Sequence, residues 1–263
     1  MTKLKTISSV ATAIACATLV ACGGGGDSTP VLQGNVQANP GPSAEGVYGG
    51  KINGSSSTDF QLLVLENGDF YSLYGVNSPS AFAVAGFIQG SGTSDNGKFL
   101  STTSKDYGTS PATAVTTAAT YDATAKTISG TVTGPKQVST FSGGPISGSL
   151  YNYNAAASLG TITGSWSTTT IAGENVALTV ASNGTFSAIG GSGCQFSGTV
   201  APRASGKNVF NVSLTFGAAP CALPGQSGSG IAVAYPITGG KTQLVVAASD
   251  TTRNNGTAIF GTR

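Results

Sequence analysis

The chain has 263 residues, only 8% of them charged, a formal net charge of +2 and no histidine. A histidine-free chain has no Ser-His-Asp triad, no Cys-His dyad and no histidine-based metal site. The charged fraction is far below the usual ~25%, and no basic stripe is present for nucleic acid.

Met1 to Lys5 is a short cationic start, and Ile7 to Ala21 then runs without charge. Fifteen apolar and small residues fall short of the about 20 that span a bilayer and match the hydrophobic part of a signal peptide. The run ends Leu19-Val20-Ala21-Cys22, which resembles the lipobox of bacterial lipoproteins, including the many small β-proteobacterial ones that begin ACGGGG. The resemblance implies that residues 1–21 are removed and that Cys22 becomes an acylated N-terminus. Each buried CH₂ of such a chain contributes ~0.8 kcal/mol, so two or three acyl chains hold a protein at a lipid membrane. Gly23 stands where that family places its inner-membrane retention aspartate, so the resemblance implies the outer membrane of a Gram-negative cell. An ordinary signal peptide with an incidental cysteine is the alternative. Residues 22–44 carry GGGGDSTP and the prolines Pro30, Pro40 and Pro42 without apolar periodicity, the composition of a flexible tether.

Loss of Lys3 and Lys5 with the leader leaves ten basic and ten acidic side chains, near zero net charge. With Cys16 discarded and Cys22 acylated, Cys194 and Cys221 are left, and in an oxidising compartment they are expected to form a disulfide. Their spacing lacks the CxxC form of a redox-active pair. The bridge would tie together the open ends of one hairpin, contributing roughly 3–4 kcal/mol on the chain-entropy estimate.

From residue 45 onward the apolar runs are short, rich in Val, Thr, Ile, Phe and Tyr, and broken about every 8 to 15 residues by Gly, Asn, Asp or Pro. That punctuation predicts antiparallel β-structure. Phe210, Val212, Leu214 and Phe216 alternate with Asn211, Ser213 and Thr215, so one face is expected to be apolar and the other wet. Asn67-Gly68 and Asn183-Gly184 each separate two runs and predict type I′ hairpins.

The landmarks recur. Gly46-Val47-Tyr48, Asn67-Gly68, Phe87 and Gly97-Lys98 are followed by Gly164-Ser165-Trp166, Asn183-Gly184, Phe196 and Gly206-Lys207 in the same order. Two homologous units are predicted, 45–155 and 156–263, each of about eight strands. The second is expected to have strands near 160–167, 175–182, 185–190, 193–201, 208–217, 229–237, 242–249 and 256–262. Eight hairpin-linked strands close most simply into an up-and-down antiparallel β-barrel, which removes edges that few charges could guard. The predicted fold is therefore all-β, two tandem barrels, with β-sandwiches as the alternative.

Gly164-x-Trp166 on a first strand resembles the G-x-W signature of calycins, the lipocalin and avidin group of eight-stranded barrels. The resemblance implies that Trp166 closes the barrel floor and that Arg263, ending the last strand, packs across it. Tyr48 takes the tryptophan's place in the first unit; a plain core tryptophan is the competing reading of Trp166. The lipobox, the glycine tether, the repeated barrels and a terminal Phe260-Gly261-Thr262-Arg263 together resemble surface lipoproteins of the transferrin-binding-protein type. Those carry handle domains for which this chain has no room, so iron-carrier binding does not follow.

No GxSxG, P-loop or EF-hand spacing occurs, and the carboxylates are scattered beside turns. The expected function is a non-catalytic envelope lipoprotein without cofactor or metal that binds a ligand or partner, a small apolar or amphipathic ligand in the barrels or an envelope protein. The alternatives are an envelope protein partner met by filled barrels and, remotely, a carboxylate-dependent hydrolase.

Overall fold

The computed structural model describes residues 43–77 and 82–263. The expected signal peptide, Cys22 and nearly all of the expected tether lie outside them. The described chain folds into two closed antiparallel barrels, joined by the segment between residues 144 and 164.

In the first barrel, β1 (Gly46–Asn53), β2 (Asp59–Val64), β3 (Asp69–Asn77) and β4 (Phe82–Ser91) pair in sequence. The short β5 (Thr93–Asp95) leads into β6 (Lys98–Asp106), β7 (Thr113–Asp122), β8 (Thr127–Thr133) and β9 (Val138–Gly144). The ring closes where β1 pairs β9 and where Ile88 and Gln89 of β4 meet Asp106 and Lys105 of β6. Eight strands make the wall, and β5 is a spur on β6.

The second barrel begins with a single helical turn, α1 (Leu159–Ile162), where a strand was expected. Its strands are β10 (Gly164–Thr170), β11 (Asn175–Val180), β12 (Thr185–Gly190), β13 (Gln195–Pro202), β14 (Phe210–Phe216), β15 (Ser227–Pro236), β16 (Thr242–Asp250) and β17 (Gly256–Thr262). Each pairs its successor, and Thr168 to Thr170 of β10 close on Gly261 to Ile259 of β17. Period-2 alternation holds as the sequence implies: Phe210, Val212 and Leu214 are buried, while Asn211, Ser213 and Thr215 face water.

The two Asn-Gly turns differ from expectation. Gly68 and Gly184 have φ of +85° and +84°, but Asn67 and Asn183 are not left-handed. The N–H of Gly68 bonds the Leu65 carbonyl and that of Leu65 the Asp69 carbonyl; Ala181, Gly184 and Thr185 repeat the pattern. Each is a type I turn with a glycine bulge, a three-residue loop. The asparagine acts through its side chain, Oδ1 accepting the N–H two residues on at 3.2 Å and 3.0 Å. The type I′ turn is Asn96-Gly97, with φ of +46° and +77°, between β5 and β6.

The barrels pack side by side through their outer walls. Leu63, Leu65, Leu73 and Phe87 of β2 to β4 meet Ile231, Ala247 and Ala258 of β15 to β17 across two apolar clusters. Continuous apolar runs in β2 and β15 reflect burial on both faces. Ion pairs Arg203–Glu66 (2.6 Å) and Lys207–Glu45 (2.9 Å) join the ends at which β1 and β10 begin. At the other ends Lys105 Nζ donates to Asn254 Oδ1 at 2.8 Å, and the Ala112 N–H to the Asn254 carbonyl at 2.7 Å. Both barrels therefore run the same way, floors together and mouths together.

Candidate functional site

The floors are built alike. Trp166, 3% exposed, sits two residues after Gly164 and donates its Nε1–H to the Ile162 carbonyl at 2.7 Å. The Arg263 guanidinium lies 4.1 Å from the centroid of the indole ring and donates to the carbonyls of Thr163 (2.5 Å) and Thr161 (3.0 Å). Tyr48, fully buried two residues after Gly46, donates its hydroxyl to the Ala44 carbonyl at 2.8 Å. Burial, with Tyr121 and Glu45 nearby, pushes the Tyr48 phenol up to about 12. Lys126 Nζ bonds the carbonyl of Glu45 at 3.0 Å, as Arg263 bonds that of Thr163, in each case the residue before the glycine. Lys126 comes from the β7–β8 turn, so the two cations reach matching carbonyls from different strands.

Above the floors both barrels are hollow. The first holds a cavity of ≈ 370 Å³ and the second one of ≈ 450 Å³, within the size range of small-molecule sites. The first lumen is mixed, with Ser72, Tyr74, Asp106, Thr117, Gln137 and Ser139 among its walls. Tyr74 donates its hydroxyl to Asp106 Oδ1 at 2.5 Å, and the Gly108 N–H bonds the same oxygen at 2.8 Å. Burial first, then the Asp106 carboxylate, pushes the Tyr74 phenol far above its ordinary value, so it acts as a fixed donor.

The second lumen is apolar through most of its depth, walled by residues such as Val176, Leu178, Phe196, Leu214 and Ile259. Polar side chains enter its lining only as Thr170, Glu174, Ser192 and Thr257. Glu174 Oε1 accepts the Ser192 N–H at 3.0 Å and the Ser192 hydroxyl at 2.7 Å. Those two bonds hold its carboxyl below the ordinary glutamate range. The Cys194–Cys221 disulfide, Cα–Cα 4.4 Å, ties the loop between β14 and β15 to the start of β13. That loop brings Pro220, Ala222 and Leu223 over the mouth.

Among the described residues, each lumen lining carries one carboxylate and no Lys or Arg. Among the described residues, no group of three or more Cys, Asp and Glu side chains could hold a metal ion, and no helix is long and apolar enough to cross a membrane. Sequence reasoning missed Glu174 as a rim residue and Asp106 as the partner of Tyr74. Their placement depends on strand register, which has no local signal.

No family model and no curated protein matches the chain. Similar solved structures include isotype 1 transferrin binding protein B from serogroup B Neisseria meningitidis, at 12% identity and TM-score 0.27, covering 83% of this chain and 43% of that one. A point mutant of the vaccine antigen transferrin binding protein B from Haemophilus parasuis Hp5 is 7% identical, TM-score 0.26, covering 79% and 66%. A DUF3598-family protein of unknown function from Nostoc punctiforme is 9% identical, TM-score 0.25, covering 83% and 93%. The chain thus spans less than two thirds of either transferrin binding protein.

Proposed function

We propose that the chain is a non-catalytic lipoprotein, anchored at the outer membrane through acylated Cys22, whose barrels hold a small apolar or amphipathic ligand. The observation that carries the ligand reading is the hollow second lumen, ≈ 450 Å³ with an apolar wall. A barrel filled by its own side chains would have favoured a purely structural module. In this reading Trp166 with Arg263, and Tyr48, are structural closures of the two floors. Domains 45–155 and 156–263 act as two containers on one body, with residues 22–44 as the tether.

The test is a titration of the purified full chain with an uncharged hydrophobic fluorophore, followed also by the emission of Trp166, the only tryptophan. Saturable binding with a change in Trp166 emission is expected. Absence of saturable binding overturns the ligand reading. Anchoring is tested separately: Cys22→Ala abolishes acylation and releases the protein from the membrane fraction.

A further inference from the structure

We infer that the second lumen selects an amphiphile with an apolar tail and a positively charged, N–H-bearing head, and that Glu174 receives the head. The inference rests on the lumen being a ligand site and adds the ligand's chemical class.

Three observations carry it. Among the described residues the lining holds a single charged side chain, Glu174, and no cation to meet a carboxylate or phosphate head. Among the described residues Glu174 is anchored by one oxygen: Oε1 takes both Ser192 bonds, while Oε2 has no hydrogen-bond partner there. A carboxylate can accept through both oxygens, so half its accepting capacity stands open beside the cavity. The site is also shaped for the carboxylate. A Cβ on Gly190, another lining residue, would lie 2.5 Å from Glu174 Oε1, so only a glycine lets the carboxylate rest across the end of β12.

The electrostatics follow in sign. An ammonium head at the rim completes the bonding of Oε2 and meets an opposite charge beside a low-dielectric wall. An anionic head of equal tail length meets a like charge and must stay outside or leave its own charge unpaired. A neutral alcohol donates one hydrogen bond and falls between them. The first lumen repeats the one-oxygen anchoring, with Asp106 Oδ1 taking the Tyr74 and Gly108 bonds. Its wall is polar, however, with Ser72, Thr117 and Gln137 in the lining, and Lys136 lies in the turn beside its lining residues Gly134 and Gln137.

The experiment is competition against the bound fluorophore by decylammonium, decanol and decanoate, on the full chain at neutral pH and low salt. Decylammonium is expected to displace it at about tenfold lower concentration than decanoate, with decanol between. Glu174→Gln is expected to bring the three together, each competition being scaled to the fluorophore affinity measured for that variant. Decanoate competing as well as decylammonium, or a preference surviving in Glu174→Gln, overturns the inference. Fluorophore binding with no displacement by any of the three also overturns it and leaves the lumen reading standing. No fluorophore binding at all overturns both.

Discussion

The two barrels share a floor and differ in what they enclose. Tyr48 and Trp166 occupy the same place on the first strand and each bonds the carbonyl four residues earlier. A cation bonds the carbonyl before each leading glycine. Above that level the first lumen presents serine, threonine, tyrosine and aspartate, and the second presents almost nothing polar until its mouth. The floor is fixed by backbone groups that must be satisfied wherever a barrel closes. The inward positions above it answer only to packing and to whatever occupies the space, so they are free to diverge.

The comparison breaks most severely at the tryptophan. Trp166→Ala is expected to cost about 3–5 kcal/mol, because the ring is buried, supports Arg263 and bonds Ile162. Urea denaturation measures it. A cost below about 1 kcal/mol would mean that the floor contributes little and that the likeness to Tyr48 is incidental. Replacing Cys194 and Cys221 together by serine comes next. At a sequence separation of 27 the loss is about 2–4 kcal/mol. The same variant should raise the fluorophore off-rate, because the loop carrying Pro220 and Leu223 then loses its covalent tie to the start of β13. Gly190→Ala is smaller in stability and larger in selectivity. It pushes the Glu174 carboxylate off the end of β12, so the preference for decylammonium should shrink as it does in Glu174→Gln.

Much of this architecture is legible in the residues. Alternation along NVFNVSLTFG fixes which side of β14 faces the lumen, and seven of the eight second-barrel strands lie within about two residues of where turn residues place them. What alternation does not carry is volume: Val176, Leu178 and Leu214 point inward whether or not they meet in the middle. The barrel-to-barrel face has a signal that period-2 reading passes over, the unbroken runs in β2 and β15. Phe87 shows the consequence. Its likeness to Phe196 in the repeat is one of sequence only. Phe87 stacks on Tyr107 at 4.6 Å against the second barrel, while Phe196 lines a lumen. The Asn-Gly pairs teach the same lesson locally, since loop length decides whether asparagine supplies a left-handed backbone or a side-chain acceptor.

The finest test of the paired floors uses pH. Tyr48→Phe deletes one hydrogen bond to the Ala44 carbonyl and is expected to cost about 1 kcal/mol at neutral pH. The Tyr48 phenol is held up to about 12 in the folded chain, against an ordinary value near 10. Between those values the folded state keeps a proton that the unfolded state has lost. The stabilisation by this tyrosine is therefore complete below about pH 10 and drains away as pH rises towards 12. At about pH 11 the wild type has lost on the order of 1 kcal/mol through this one group, which a phenylalanine cannot lose. Urea midpoints at pH 7 and pH 11 should thus show the Tyr48→Phe deficit vanish or reverse. Trp166 has no proton to titrate, so the deficit of Trp166→Ala should stay constant over the same range. A constant deficit for Tyr48→Phe would mean that the hydroxyl of Tyr48 is not held as a buried donor, and the two floors would then differ in kind.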